Sequence, residues 1–172
     1  MASQSKQPAL FLDRDGVVNV EKNYLHRIGD FEFIDGIFDV CRAYQARGYR
    51  IVIVTNQSGI ARGFYSEADF EHLTDWMVGE FEKEGITVAG VYYCPHHPDF
   101  SGVCSCRKPE PGMLTQAASE LGIDLARSVM VGDSERDIAA AHRAGVKEAY
   151  LLSDTAESSA ATRIISSLRE LL

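Results

Sequence analysis

Asp13 and Asp15 end an apolar run in FLDRDG, residues 11–16, two apart and just before a glycine. Carboxylates that close repel one another and are costly to desolvate, so the pattern asks for a bound cation. Asp133, in GDSERD at 132–137, ends another apolar run. The three acids together offer Mg²⁺ the carboxylates it takes beside water and phosphate oxygens. With the metal neutralising charge, a carboxylate can attack phosphorus and split a hard hydrolysis into two steps through an aspartyl phosphate. Asp15 can protonate the leaving oxygen and then take a proton from the attacking water. Thr55 can donate its hydroxyl to a phosphoryl oxygen, and Lys108 can add a point charge.

A second cluster lies in CPHHPDFSGVCSC, where Cys94, His96, Cys104 and Cys106 give three thiols and an imidazole. Such a set fills a tetrahedral Zn²⁺ with no open position, which makes the metal structural. His97 competes with His96 for the fourth place, since spacing does not separate them, and a disulfide or a cluster of reduced thiols is the other reading. The loop ends immediately before Arg107 and Lys108, so a folded loop would hold both cations over the site. Cys41 stands apart in a helical pattern and reads as a small core residue.

The elements that must position these groups follow from the apolar pattern. Runs of strand length recur at 9–12, 51–54, 91–93, 129–131 and 149–152. Amphipathic stretches at about 36–47, 66–84, 111–121 and 134–144 separate most of them, and a tail helix is expected from about 157. The tail would pack on the sheet or serve a partner. Early runs that are apolar at successive positions suit strands covered on both faces, so the expected fold is α/β: a central parallel sheet between two helical layers. In such sheets ligands sit beyond the carboxyl ends of the strands, where Asp13, Thr55 and Asp133 all fall. Ser66 with Asp69, and Ser134 with Asp137, read as helix N-caps. With 172 residues, 45% of them hydrophobic, the chain is expected to form one domain, 1–172.

A net charge of −8 leaves no broad basic face for nucleic acid. There is no apolar run of membrane-spanning length, and residues 1–9 lack a signal peptide's apolar core, so a cytoplasmic protein without membrane or nucleic-acid partners is expected.

DRDG at 13–16, TNQ at 55–57, RKP at 107–109 and GDSERD at 132–137 resemble, in order, the four motifs of the haloacid dehalogenase superfamily of aspartate-nucleophile phosphohydrolases. The resemblance implies a Rossmann-like three-layer fold. It implies Asp13 as nucleophile, Asp15 as general acid and base, Thr55 and Lys108 as phosphoryl stabilisers, and Mg²⁺ on Asp13, Asp15 and Asp133. Val17 departs from the usual Thr after the glycine. Only 39 residues separate Asp15 from Thr55, much of that the first helix, so no large cap domain fits and loops must contact the substrate.

The zinc loop narrows the resemblance to the histidinol-phosphatase-like branch. TNQSGIARG, YYCPHHP and CRKPEPGM are similar to its heptose bisphosphate phosphatases, with histidinol phosphate phosphatases as the alternative. Carried over by position, the resemblance places substrate contacts at Arg14, Glu21, Lys22, Asn23, Tyr24, Asn56, Gln57, Ser58 and Arg107. The fork of Arg107 suits a second, distal phosphate. Ser134 stands where relatives often carry Lys. The expected partner is a small phosphorylated sugar and the expected state a monomer. A silent zinc-stabilised binding module and a phosphatase of nucleic-acid ends are the rival classes; intact acidic motifs speak against the first and the charge against the second.

Overall fold

The computed structural model describes residues 5–172. Six strands, β1 (Ala9–Leu12), β2 (Arg50–Asn56), β3 (Val88–Cys94), β4 (Val129–Gly132), β5 (Glu148–Leu152) and β6 (Arg163–Ile165), form one sheet in the order β3-β2-β1-β4-β5-β6. Every pairing is parallel.

The apolar run of β1 explains its central place. Leu10 and Leu12 pack into one buried layer with Val40, Ile53 and Phe81, while Ala9 and Phe11 pack into the other with Met113 and Ile138. Alternate side chains thus serve opposite faces, and both faces are dry. Each such aliphatic or aromatic side chain contributes roughly 1.5–3 kcal/mol by leaving water. The helices α1 (Ile37–Ala46), α2 (Glu67–Lys83), α4 (Gly112–Leu121) and α5 (Glu135–Ala144) cover the faces, and α3 (Pro98–Ser101) is a single turn in the cysteine loop. The start of α2 is fixed by a reciprocal cap: Ser66 Oγ accepts the Asp69 N–H, and the Asp69 carboxylate accepts the Ser66 N–H, both at 3.0 Å.

The tail corrects one expectation. Instead of a helix from about 157, the chain runs irregularly to β6, which pairs with β5, and closes with a 3₁₀ turn over Leu168–Leu171. Ile164 and Ile165 are successive β-branched residues that serve opposite layers, a strand pattern of period two rather than a helical one. Phe31, Phe33 and Trp76 pack edge to face or tilted in one aromatic group, as core residues do. No helix among the described residues is long and apolar enough to cross a membrane.

In this strand order the chain reverses direction of growth between β1 and β4, so a crevice opens at their carboxyl ends. Asp13 follows β1 and Asp133 follows β4 there. Between Asp15 and Thr55 the chain makes a loop with a 3₁₀ turn at Ile28–Asp30, then α1 and the body of β2, so this stretch builds no separate cap over the crevice.

Candidate active site

Asp13, Asp133 and Asp137 bring carboxylate oxygens within 4.8 Å of one another. Lys108 enters from the loop beyond β3, and its buried ammonium touches Asp13 Oδ1 at 2.9 Å, Asp137 Oδ1 at 2.6 Å and the Val54 carbonyl at 2.9 Å. All three N–H bonds of the ammonium are thereby committed. Asp137 is held in turn: its Oδ2 accepts the N–H groups of Asp133 and Ser134 at 3.1 and 3.2 Å. Two glycines allow this crowding. A Cβ at Gly132 would overlap the Asp137 side chain. A Cβ at Gly16 would overlap Asp133 Oδ2, and Gly16 has φ +92°, which side chains disfavour.

Three carboxylates against one ammonium leave two negative charges uncompensated, which a hard divalent cation matches. The electrostatics agree. Burial above all, then Asp137 and Asp133, push the Asp13 carboxyl well above the carboxylate range, although Lys108 opposes this. Desolvation and then the charge of Asp137 push Asp133 up to about 6. Burial disfavours the Lys108 charge, but Asp13 and Asp137 outweigh it and hold the ammonium above the usual lysine range.

The sign of the pH dependence follows. The metal-free fold favours protonated Asp133, so that contribution to stability is present below the ordinary value of 3.8 and is lost as pH rises through about 6. Mg²⁺ requires the ionised form, so its affinity falls as pH drops through the same range. Thermal unfolding with and without Mg²⁺ is therefore expected to show a larger stabilisation by the ion at pH 8 than at pH 5. A larger shift at pH 5 would contradict this site.

The Asp15 carboxylate is not among the three that cluster, although Asp15 lines the same cavity. It takes Arg14 Nη2 and Asn19 Nδ2 on Oδ1, at 2.9 and 3.0 Å, and Gln57 Nε2 on Oδ2, at 3.1 Å. Gln57 Nε2 also donates to Thr55 Oγ1 at 2.9 Å, while Tyr65 Oη donates to Gln57 Oε1. Thr55 is fully buried under this network. Asp15 itself lines the cavity, where a leaving group can reach it.

Two adjoining cavities form the crevice. The inner one, about 170 Å³, is lined by Asp13, Asp15, Lys108 and Asp133, with Ser134 and Arg136 at its edge. The outer one, about 230 Å³, is lined by Asn23, Tyr24, Gln57, Ser58, Arg107 and Arg136; Asp15, Glu21 and Asn56 border both. Asn23 and Tyr24 hold left-handed backbone, φ 55° and 61°, a strained conformation at the cavity wall. Asn56 clamps the Lys108 backbone from both sides, accepting its N–H at 3.0 Å and donating to its carbonyl at 3.2 Å.

Two expected substrate contacts lie elsewhere. Arg14 is 1% exposed, and its Nη2 donates to Asp15 and to the Leu25 carbonyl while its buried Nε has no partner, so it orients the general acid from below rather than facing the cavity. Lys22 points outward and pairs with Glu32 at 3.3 Å. Two residues in the crevice were missed. Asp137 reads from sequence as a helix cap alone, and Arg136 carries no motif signal of its own beyond a cation in the first turn of α5.

In the cysteine loop, Cys94, His96, Cys104 and Cys106 bring their ligand atoms within 4.8 Å of one another. His96 Nδ1 lies 3.7 Å from Cys94 Sγ and 3.4 Å from Cys106 Sγ, and Cys104 Sγ lies 3.6 and 3.5 Å from the same two sulfurs. These are near the roughly 3.7 Å edges of a tetrahedron around a metal bound at about 2.3 Å. The Cys94 and Cys106 sulfurs are closer still, in disulfide contact. The donor set could hold Zn²⁺. His97 is outside it, its Nδ1 accepting the Asp99 N–H at 3.1 Å as the cap of α3.

The HAD-hydrolase-like family pattern matches residues 105–171. A D-glycero-beta-D-manno-heptose-1,7-bisphosphate 7-phosphatase of Yersinia pestis is 49% identical over 95% of this chain and 93% of its own. The crystal structure of D,D-heptose 1,7-bisphosphate phosphatase from B. bronchiseptica, complexed with magnesium and phosphate, is 33% identical, covers 94% of this chain and 93% of its own, and superposes with a TM-score of 0.82. A putative HAD-like phosphatase from Mesorhizobium loti superposes with a TM-score of 0.87 at 33% identity, covering 97% of this chain and 85% of its own. The acidic crevice at the β1/β4 switch point and these relatives agree: the chain belongs to the heptose-1,7-bisphosphate 7-phosphatase family of HAD-like hydrolases.

Proposed function

We propose that this protein is a Mg²⁺-dependent phosphatase that removes the 7-phosphate of D-glycero-β-D-manno-heptose 1,7-bisphosphate. The product, the heptose 1-phosphate, would feed ADP-heptose and lipopolysaccharide core synthesis. The observation that carries the reading is the buried Asp13, fixed by Lys108 at the floor of a cavity that opens onto a second, arginine-lined one.

Asp13 Oδ1 accepts both the Arg14 N–H and Lys108 Nζ at 2.9 Å, which leaves Oδ2 without a donor among the described residues. Oδ2 attacks phosphorus, and the bond from phosphorus to the sugar O7 breaks as the new one forms. Asp15, placed by Arg14, Asn19 and Gln57, gives its proton to that oxygen. It then takes a proton from the water that attacks the same phosphorus, and Asp13 is regenerated as inorganic phosphate leaves. Asp13 and Asp133 would hold Mg²⁺, which when bound would supply charge to offset that of the transferring phosphoryl group. Asp137 serves by holding Lys108 and the Asp133 backbone in place. Thr55 acts from beneath, through Gln57, and reaches a phosphoryl oxygen only if that hydrogen bond yields. Zn²⁺ on Cys94, His96, Cys104 and Cys106 would be structural, holding the segment that delivers Arg107 and Lys108.

The whole chain acts as one domain in this reading, as a monomer in the cytoplasm. Every group invoked comes from one chain, and reduced thiolates suit a reducing compartment. Phosphate release from the heptose bisphosphate and from histidinol phosphate, measured side by side with Mg²⁺, tests the assignment. The specificity constant for the bisphosphate is expected to be higher by about 100-fold or more; a preference for histidinol phosphate would overturn it.

A further inference from the structure

Resting on that reading of the substrate, we propose that Arg136 is a specificity-determining residue which, with Arg107, grips the phosphate that stays on the sugar. Arg136 borders both cavities, standing where the inner one, with Asp13 and Lys108, meets the outer one. Arg107 lines the outer cavity alone. A substrate with its reacting phosphate at Asp13 must send its far end outward past Arg136 toward Arg107.

Neither guanidinium is otherwise employed. Among the described residues Arg136 has no hydrogen bond or ion pair, and Arg107 has only a long contact, 3.5 Å, to the His96 carbonyl. The acids that line the inner cavity have other partners: Lys108 holds Asp13 and Asp137, Arg14, Asn19 and Gln57 hold Asp15, the Asn23 N–H holds Glu21, and Asp133 is set for the cation; none of them pairs with Arg136. Two guanidiniums without an ion pair among the described residues, lining one cavity beside Asp15 and Glu21 in a chain with net charge −8, are arranged for a dianion, which their planar forks can take bidentately. Ser134 is uncharged, so Arg136 is the cation that α5 brings to this rim.

The test compares Arg136→Ala and Arg136→Lys with the wild type on heptose 1,7-bisphosphate and on heptose 7-phosphate, which lacks the distal group. In Arg136→Ala the ratio of specificity constants, bisphosphate over monophosphate, is expected to fall by about 10–100-fold, chiefly through KM. Arg136→Lys, which keeps the charge and loses the fork, is expected to recover part of that ratio. Because Arg136 is exposed, both variants are expected to melt within a few degrees of the wild type. An unchanged ratio in the folded variants, or equal losses on both substrates, would overturn the role of Arg136 while the wild-type activity left the substrate assignment standing. A wild type inactive on both heptose phosphates would instead sink the substrate assignment, and the distal grip with it.

Discussion

Replacement of Asp13 by asparagine is expected to lower phosphate release by about 10⁴-fold or more, because the oxygen that attacks phosphorus is lost while the site's other parts remain. The same change is expected to leave the metal-free protein as stable as the wild type or more so. In the native cluster burial, Asp137 and Asp133 oppose the Asp13 charge, and Lys108 favours it. A neutral amide of nearly the same shape keeps the contact to Lys108 and removes part of the repulsion. Opposite effects on activity and melting temperature separate a lost nucleophile from a damaged fold. Retained turnover in Asp13→Asn would remove Asp13 from the mechanism.

Lys108→Met should be the most damaging single substitution for stability. Lys108 is 2% exposed and is the one cation between Asp13 and Asp137. Its removal leaves those carboxylates buried and facing each other, and breaking a buried pair in this way costs about 3–5 kcal/mol. For a domain of this size that corresponds to a fall in melting temperature of roughly 6–20 °C at neutral pH. The deficit should shrink at low pH, where Asp13 can take a proton. It should also shrink in the double variant Asp13→Asn, Lys108→Met, which removes one of the two unpaired charges. A melting temperature unchanged by Lys108→Met would show that the ammonium does not hold the cluster together.

The strands were legible because burial on both faces demands an unbroken apolar run, and β1, β2 and β4 carry one. The acidic positions were legible for a related reason: a charge directly after such a run has few uses other than a site. Where sequence misled, one pattern had two physical meanings. Ile164, Ile165 and Leu168 fit a helical face by spacing, yet they sit on a short strand and the turn beyond it, because pairing with β5 was available. Ser134 with Asp137 does cap α5, but the same Asp137 carboxylate also binds Lys108, a partner 29 positions away that no local spacing reveals. The family resemblance placed a substrate contact at Arg14, whereas its side chain is buried and bonds Asp15 and the Leu25 carbonyl. Arg136 did leave a faint trace, since a cation in the first turn of a helix opposes the helix dipole and so asks for another reason to be there. The choice between His96 and His97 needed coordinates, because adjacent residues differ only in which way the loop turns them.

The central claim is that Asp13 becomes covalently phosphorylated. Rapid acid quench of the wild type with Mg²⁺ and substrate carrying a radiolabelled 7-phosphate, followed by peptide mapping, tests it most directly. The account predicts transient protein-bound label confined to the peptide containing Asp13, released by hydroxylamine and absent from Asp13→Asn. A first turnover that releases phosphate with no label on the protein, or with the label on another residue, would contradict it.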